Sequence, residues 1–188
     1  MNMRIFVALL CVFLFTNLQA GEIMFEHISS NQGLSNNLVR DIIQDEKGYL
    51  WMATSGGLNR FDGHSFQTYK TIFGDQQSLS DSRLSIIFED RNGFIWARSI
   101  LGNLHRIDPV YGNVINFKEE GLMPQSARAV KNLVASNGDV WLVHSEGLQR
   151  MYYSNSDKSK FNLQTFEHAN WLQNSKVNDI FEDSNRNI

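Results

Sequence analysis

Five histidines, His27, His64, His105, His144 and His168, are the side chains here best suited to hold a metal or move a proton. None has a partner at metal-ligand spacing, so each reads as a strand or surface residue. Two acidic pairs, Glu89-Asp90 and Glu182-Asp183, stand directly before what look like hairpin turns. Asp90-Arg-Asn-Gly93 opens like a calcium loop but lacks the later carboxylates and the bidentate glutamate, and an aspartate capping its own turn is the better reading. No Gly-x-Ser-x-Gly elbow and no phosphate-binding glycine loop occurs. The residues therefore predict no catalytic site, no metal site and no cofactor. Binding remains, and it depends on how the chain is built.

The chain is built as repeats. Val39-Arg-Asp-Ile-Ile-Gln-Asp-Glu-Lys-Gly-Tyr-Leu-Trp51 returns as residues 84–96 and 129–141, so Trp51, Trp96 and Trp141 recur 45 residues apart, with Gly48, Gly93 and Gly138 three residues before them. A fourth copy starts at Val177 and the sequence ends where its tryptophan is due, so we expect an array cut mid-unit. A period near 45 means stacked supersecondary units. In the first unit Leu38 to Gln44 reads as a strand, 45–48 as a turn, 49–54 as a second strand, 58–61 as a third and 65–69 as a fourth. Helix is the rival over 38–44, but the fixed places of glycine and tryptophan argue against it. Asp62-Gly63, Asn92-Gly93 and Asn137-Gly138 read as type I′ hairpin signals. Residues 75–82 and 153–159 read as irregular connections.

One such sheet has apolar residues on both faces and cannot stay dry alone. Copies stacked face to face solve this, with the tryptophans as plugs between them. The fold class expected is all-β: a partial β-propeller of four-stranded antiparallel blades, about three and a half blades with the ring incomplete. The units fall at about 33–75, 76–122, 123–170 and 171–188. The triplets Leu58-Asn-Arg60, Leu104-His-Arg106 and Leu148-Gln-Arg150 recur with them. Arg60, Arg106 and Arg150 could ring an anion, but because every copy has one, a structural pairing with an acid or carbonyl is expected.

Residues 1–20 carry Arg4, an unbroken apolar run over residues 5–15, and Leu18-Gln-Ala20 before Gly21, the layout of a secretory signal peptide. The one cysteine, Cys11, lies inside that run, so no disulfide is expected in the exported chain. Residues 21–32 hold a short strand, Ile23-Met-Phe-Glu-His-Ile28, without a blade of its own and suited to latch a ring shut. The formal net charge is −3 with no basic run, which argues against nucleic acid. No later apolar stretch is long enough to span a membrane.

The residues 33–37, Ile42-Ile-Gln-Asp-Glu-Lys-Gly-Tyr-Leu-Trp-Met-Ala-Thr54 and Gly57-Leu-Asn-Arg-Phe-Asp-Gly63 strongly resemble the two-component regulator propeller repeat. The third unit departs where Ala135 replaces aspartate, and the fourth where Arg186 replaces glycine. The resemblance implies the periplasmic sensing part of a hybrid histidine kinase receptor, exported, with downstream domains of the same receptor and a homodimer as partners. It also implies an oligosaccharide or other small ligand. The alternatives are the sensor of a diguanylate cyclase receptor and a secreted propeller enzyme acting on polysaccharide. A sugar would bind in loops at one mouth of the ring, and those entering the innermost strands offer Asn36, Asn37, Asp81, Ser82 and Arg83. With half a ring exposing unstacked sheets, the chain is expected to aggregate when made alone.

Overall fold

The structure, a computed structural model, describes residues 24–154, 157–166 and 177–188. The expected signal peptide lies outside the described residues. Among the described residues twelve strands form three four-stranded antiparallel sheets, each in simple chain order. Blade 1 holds β1 (Val39–Gln44), β2 (Leu50–Thr54), β3 (Gly57–Phe61) and β4 (Phe66–Tyr69). Blade 2 holds β5 (Leu84–Glu89), β6 (Ile95–Ser99), β7 (Leu104–Ile107) and β8 (Val114–Asn116). Blade 3 holds β9 (Ala129–Val134), β10 (Val140–His144), β11 (Gly147–Ser154) and β12 (Asp157–Phe166). The fold is an unclosed propeller, and residues 39–44 are strand rather than helix.

The core sits between sheets, as two-sided strands require. Trp51, Ala53, Leu58 and Tyr69 of blade 1 pack on Leu84, Ile87, Ile95, Ala97, Ile107 and Val114 of blade 2. Trp96, Leu104 and Phe117 of blade 2 in turn pack on Ala129, Val140, Leu142 and Met151 of blade 3. Trp51 and Trp96 are completely buried, whereas Trp141 is half-buried. Each first hairpin also carries a bulge at the same place, which leaves Arg40, Ser85 and Val130 out of register. Bulges at a repeated position are a designed bend of the inner strand.

Three local expectations need correction. Asp62-Gly63, Asn92-Gly93 and Asn137-Gly138 do not form type I′ turns, because such a turn needs positive φ at both residues and only the glycines have it. Gly93 N–H bonds Asp90 O at 3.0 Å while Asp90 N–H bonds Phe94 O at 3.0 Å, a turn over 90–93 closed by a glycine bulge. Residues 153–154 and 157–159 are strand rather than irregular connection: β11 runs through Ser154 and β12 starts at Asp157, with Tyr153 paired to Phe161. Met24 to Ser29 form no strand, so the latch has no pairing partner among the described residues. In the fourth unit residues 177–183 form no strand, yet the turn survives: Arg186 N–H bonds Asp183 O at 3.0 Å, with Arg186 at φ 65° in the place of glycine.

Candidate functional site

The polar residues that recur build the stack. Asp45 Oδ1 accepts the N–H groups of Lys47 (3.0 Å) and Tyr49 (2.9 Å), and its Oδ2 accepts the indole N–H of Trp51 at 2.8 Å. Asp90 repeats this with Asn92 (2.9 Å), Phe94 (3.1 Å) and Trp96 (2.8 Å). Asp183 caps Asn185 and Asn187 in the same way. One carboxylate thus caps the turn amides and anchors a tryptophan. Tyr153 of blade 3 also donates its hydroxyl to Asp90 Oδ2. Burial and that carboxylate push the Tyr153 phenol above its ordinary range. The third unit has Ala135 instead, and Arg150 Nη2 pairs with Asp139 Oδ2 at 2.6 Å.

Glutamates hold neighbouring blades together. Glu89 Oε2 of blade 2 accepts the Glu46 N–H of blade 1 at 3.0 Å, and Glu182 Oε2 accepts the Ser136 N–H of blade 3 at 2.6 Å. Valine occupies the equivalent place in the third unit, and there Arg91 Nε bonds Ala135 O at 3.1 Å. The repeated arginines lie flat on aromatics: Arg60 over Tyr49 (4.7 Å), Arg106 over Phe94 (4.1 Å) and Phe161 (4.6 Å), Arg150 over Tyr152 (5.3 Å). Arg60 Nη1 also donates to Pro109 O at 2.8 Å.

The middle residue of each triplet escaped sequence reasoning. Asn59, His105 and Gln149 are buried, and each ties its own blade to the loop that leads into it. Asn59 Oδ1 accepts Ser35 N–H at 2.9 Å, His105 Nε2 accepts Ser80 N–H at 3.2 Å, and Gln149 Nε2 donates to Leu122 O at 3.0 Å. Burial lowers the His105 pKa from 6.5 to about 4, so the ring is neutral. Recurrence of a polar residue between Leu and Arg was the available signal.

Those tethers bear on the five predicted ligand residues, because they fix the loops that carry them. Asn36 Oδ1 accepts Leu38 N–H at 2.8 Å and Asn37 Oδ1 accepts Ser30 N–H at 2.7 Å. Asp81 is buried; burial raises its pKa, but the Arg83 side chain and N–H outweigh this and hold the carboxyl below the ordinary value. Arg83 Nε lies 3.0 Å from Asp81 Oδ1, and Ser82 Oγ accepts Thr71 N–H at 2.7 Å. The structure brings Asp81 and Arg83 together as an ion pair. None of the cavities described below is lined by any of these five residues.

Cavities lie elsewhere. One of 290 Å³ opens at the opposite ends of the inner strands, between the 45–49 turn of blade 1 and blade 2, lined by Lys47, Glu89, Asn92, Pro109 and Tyr111 among others. Another of 280 Å³ is apolar and lies between Trp141, Leu148 and Phe166 of blade 3 and Ile180, Phe181 and Ile188 of the fourth unit. A third of 540 Å³ sits under the 71–80 connection. Among the described residues no helix is long and apolar enough to cross a membrane, and no cluster of His, Cys, Asp and Glu could hold a metal ion.

The turn, its tryptophan and the Gly33–Gly56 approach to blade 1 are matched by a family model, two component regulator propeller, over residues 33–56. Residues 33–56 thus carry a two component regulator propeller repeat. Over 81 residues, 42% of its length, the chain is 40% identical to histidine kinase P4 of Formosa agariphila, of which the match covers 6%. The fold is similar to the extracellular domain of the hybrid two component system BT4673 from B. thetaiotaomicron, with a TM-score of 0.59 and 16% identity over 89% of this chain and 21% of that one. The corresponding domain of BT3049 aligns at a TM-score of 0.42 and 23% identity, over 85% of this chain and 28% of that one. The chain thus spans a small part of the length of these relatives.

Proposed function

We propose that this chain is a ligand-sensing propeller of a two-component histidine kinase receptor, exported to the periplasm and responding to oligosaccharides. The observation that carries the reading is the 40% identity to a protein named histidine kinase, joined to the regulator propeller repeat. The expected export signal at residues 1–20 supports the location. The blades themselves perform no chemistry in this reading. Their buried carboxylates and arginines are spent on turns and blade contacts. Signalling is then a shift in population: ligand favours one arrangement of the propeller against the downstream domains, or against a second copy in a homodimer, and the shift is bounded by its differential affinity for the two. Isothermal titration of the receptor's full sensing ectodomain, of which this chain is a part in this reading, with soluble oligosaccharides tests this. Binding of one sugar class is the expected result, and silence across gluco-, galacto-, manno- and xylo-oligosaccharides would overturn the oligosaccharide reading.

A further inference from the structure

In a repeat protein the residues that hold the stack recur, so a site that recognises one ligand should break the repeat. One loop does so beside a cavity. Blade 1 joins β3 to β4 through four residues, Asp62-Gly-His-Ser65, whereas blade 2 joins β7 to β8 through six, Asp108-Pro-Val-Tyr-Gly-Asn113. The extra length places Pro109, Val110 and Tyr111 at the tip.

That tip is rigidly held and yet bare. Asp108 Oδ1 accepts the N–H groups of Val110 (2.8 Å) and Tyr111 (3.1 Å), Gly112 N–H bonds Asp108 O at 2.8 Å, and Arg60 reaches across from blade 1 to Pro109 O. Tyr111 nevertheless remains 79% exposed. A lone exposed aromatic would need no explanation. This one borders the 290 Å³ cleft whose other walls bring Lys47, Glu89, Arg91 and Asn92.

The chemistry of those walls narrows the ligand. Glu89 and Asp108 already accept backbone N–H groups, and together with Glu46 they disfavour an anion. A purely apolar ligand would cover amide and charged groups without pairing them. A neutral ring with hydroxyls on its edge and C–H bonds on its face meets both demands, the face on Tyr111 and the edge on Asn92 and Lys47. The volume sits at the low end of small-ligand pockets, which run from about 300 to 1,000 Å³, so it suits one sugar ring rather than a long chain.

We propose that this cleft is a pyranose subsite with Tyr111 as its stacking platform and Asn92 and Lys47 as hydroxyl partners. The proposal rests on the oligosaccharide reading and assigns it to the end of the blades opposite Asn36 and Asp81. Its test is titration of the same full ectodomain with the same four oligosaccharide classes, comparing the unaltered protein with Tyr111→Ala, Tyr111→Phe, Asn92→Ala and Asn37→Ala. Circular dichroism should show all of them folded, since the altered side chains lie at the surface or in loops. Tyr111→Ala is expected to weaken Kd about tenfold and Asn92→Ala about threefold, while Tyr111→Phe and Asn37→Ala leave it within about twofold. Binding that survives Tyr111→Ala and Asn92→Ala unchanged overturns the cleft while leaving the oligosaccharide reading intact. Failure of the unaltered ectodomain to bind any of the four overturns both.

Discussion

Blades 2 and 3 differ at one position in a way that exposes what the repeat is for. In blade 2 Asp90 binds two turn N–H groups, the Trp96 indole and the Tyr153 hydroxyl, and Trp96 is wholly buried. In blade 3 Ala135 stands in its place, Trp141 is half-buried, and the arginine that would lie on an aromatic at position 139 pairs with a carboxylate there instead. The turn still forms: Gly138 N–H bonds Ala135 O at 2.9 Å, as Gly93 does to Asp90. The aspartate is therefore not what makes the hairpin. It joins the hairpin to the tryptophan, and so to the next blade.

Several substitutions would break or sharpen that contrast, read by chemical denaturation of the chain. Trp96→Ala should be the most damaging, about 3–5 kcal/mol, because it empties the space between blades 2 and 3. Trp141→Ala should cost less than half as much. His105 comes next through pH. Its folded pKa of about 4 lies below the ordinary 6.5, so the unfolded chain takes up the proton first as pH falls. The full contribution of about 3 kcal/mol is present above pH 6.5 and is lost between pH 6.5 and about 4. His105→Asn, which copies Asn59 of blade 1, should flatten that window; an unchanged pH profile would mean the histidine is not held neutral.

Asp90→Ala strands an indole N–H, two amides and a hydroxyl, and should cost about 2–3 kcal/mol. The same change at Asp183, where no tryptophan is engaged, should cost under about 1 kcal/mol. Equal losses at the two sites would show that the tryptophan contact adds nothing. Smallest, Arg186→Gly should stabilise the fourth turn by about 1 kcal/mol, since a side chain there is held at φ 65°. Any loss of stability would mean that the Arg186 side chain contributes more than its backbone strain takes away.

How legible all this was in the sequence depended on periodicity. Trp51, Trp96 and Trp141 fixed blade length, and the four strands of blade 1 were placed to within a residue, because what recurs is what the stack needs. Turn chemistry was less visible: Asn92-Gly93 has the composition of a type I′ turn, and only φ shows the chain turning one residue earlier. The site was least visible. Asn36 and Asp81 have side chains a sugar could use, but their oxygens are taken by Leu38 and Arg83, a competition that composition does not reveal. Tyr111 lay in an insertion readable by aligning the loops 62–65 and 108–113, yet its exposure and the cleft beside it follow only from the Arg60 and Asp108 contacts.

Hydrogen exchange of the tryptophan indole N–H groups, followed by NMR and assigned through single Trp→Phe variants, tests the stacked-blade account most directly. The indoles of Trp51 and Trp96, buried and bonded to aspartate, should exchange slowly, and that of Trp141 should exchange fast. Equal exchange at all three would contradict it.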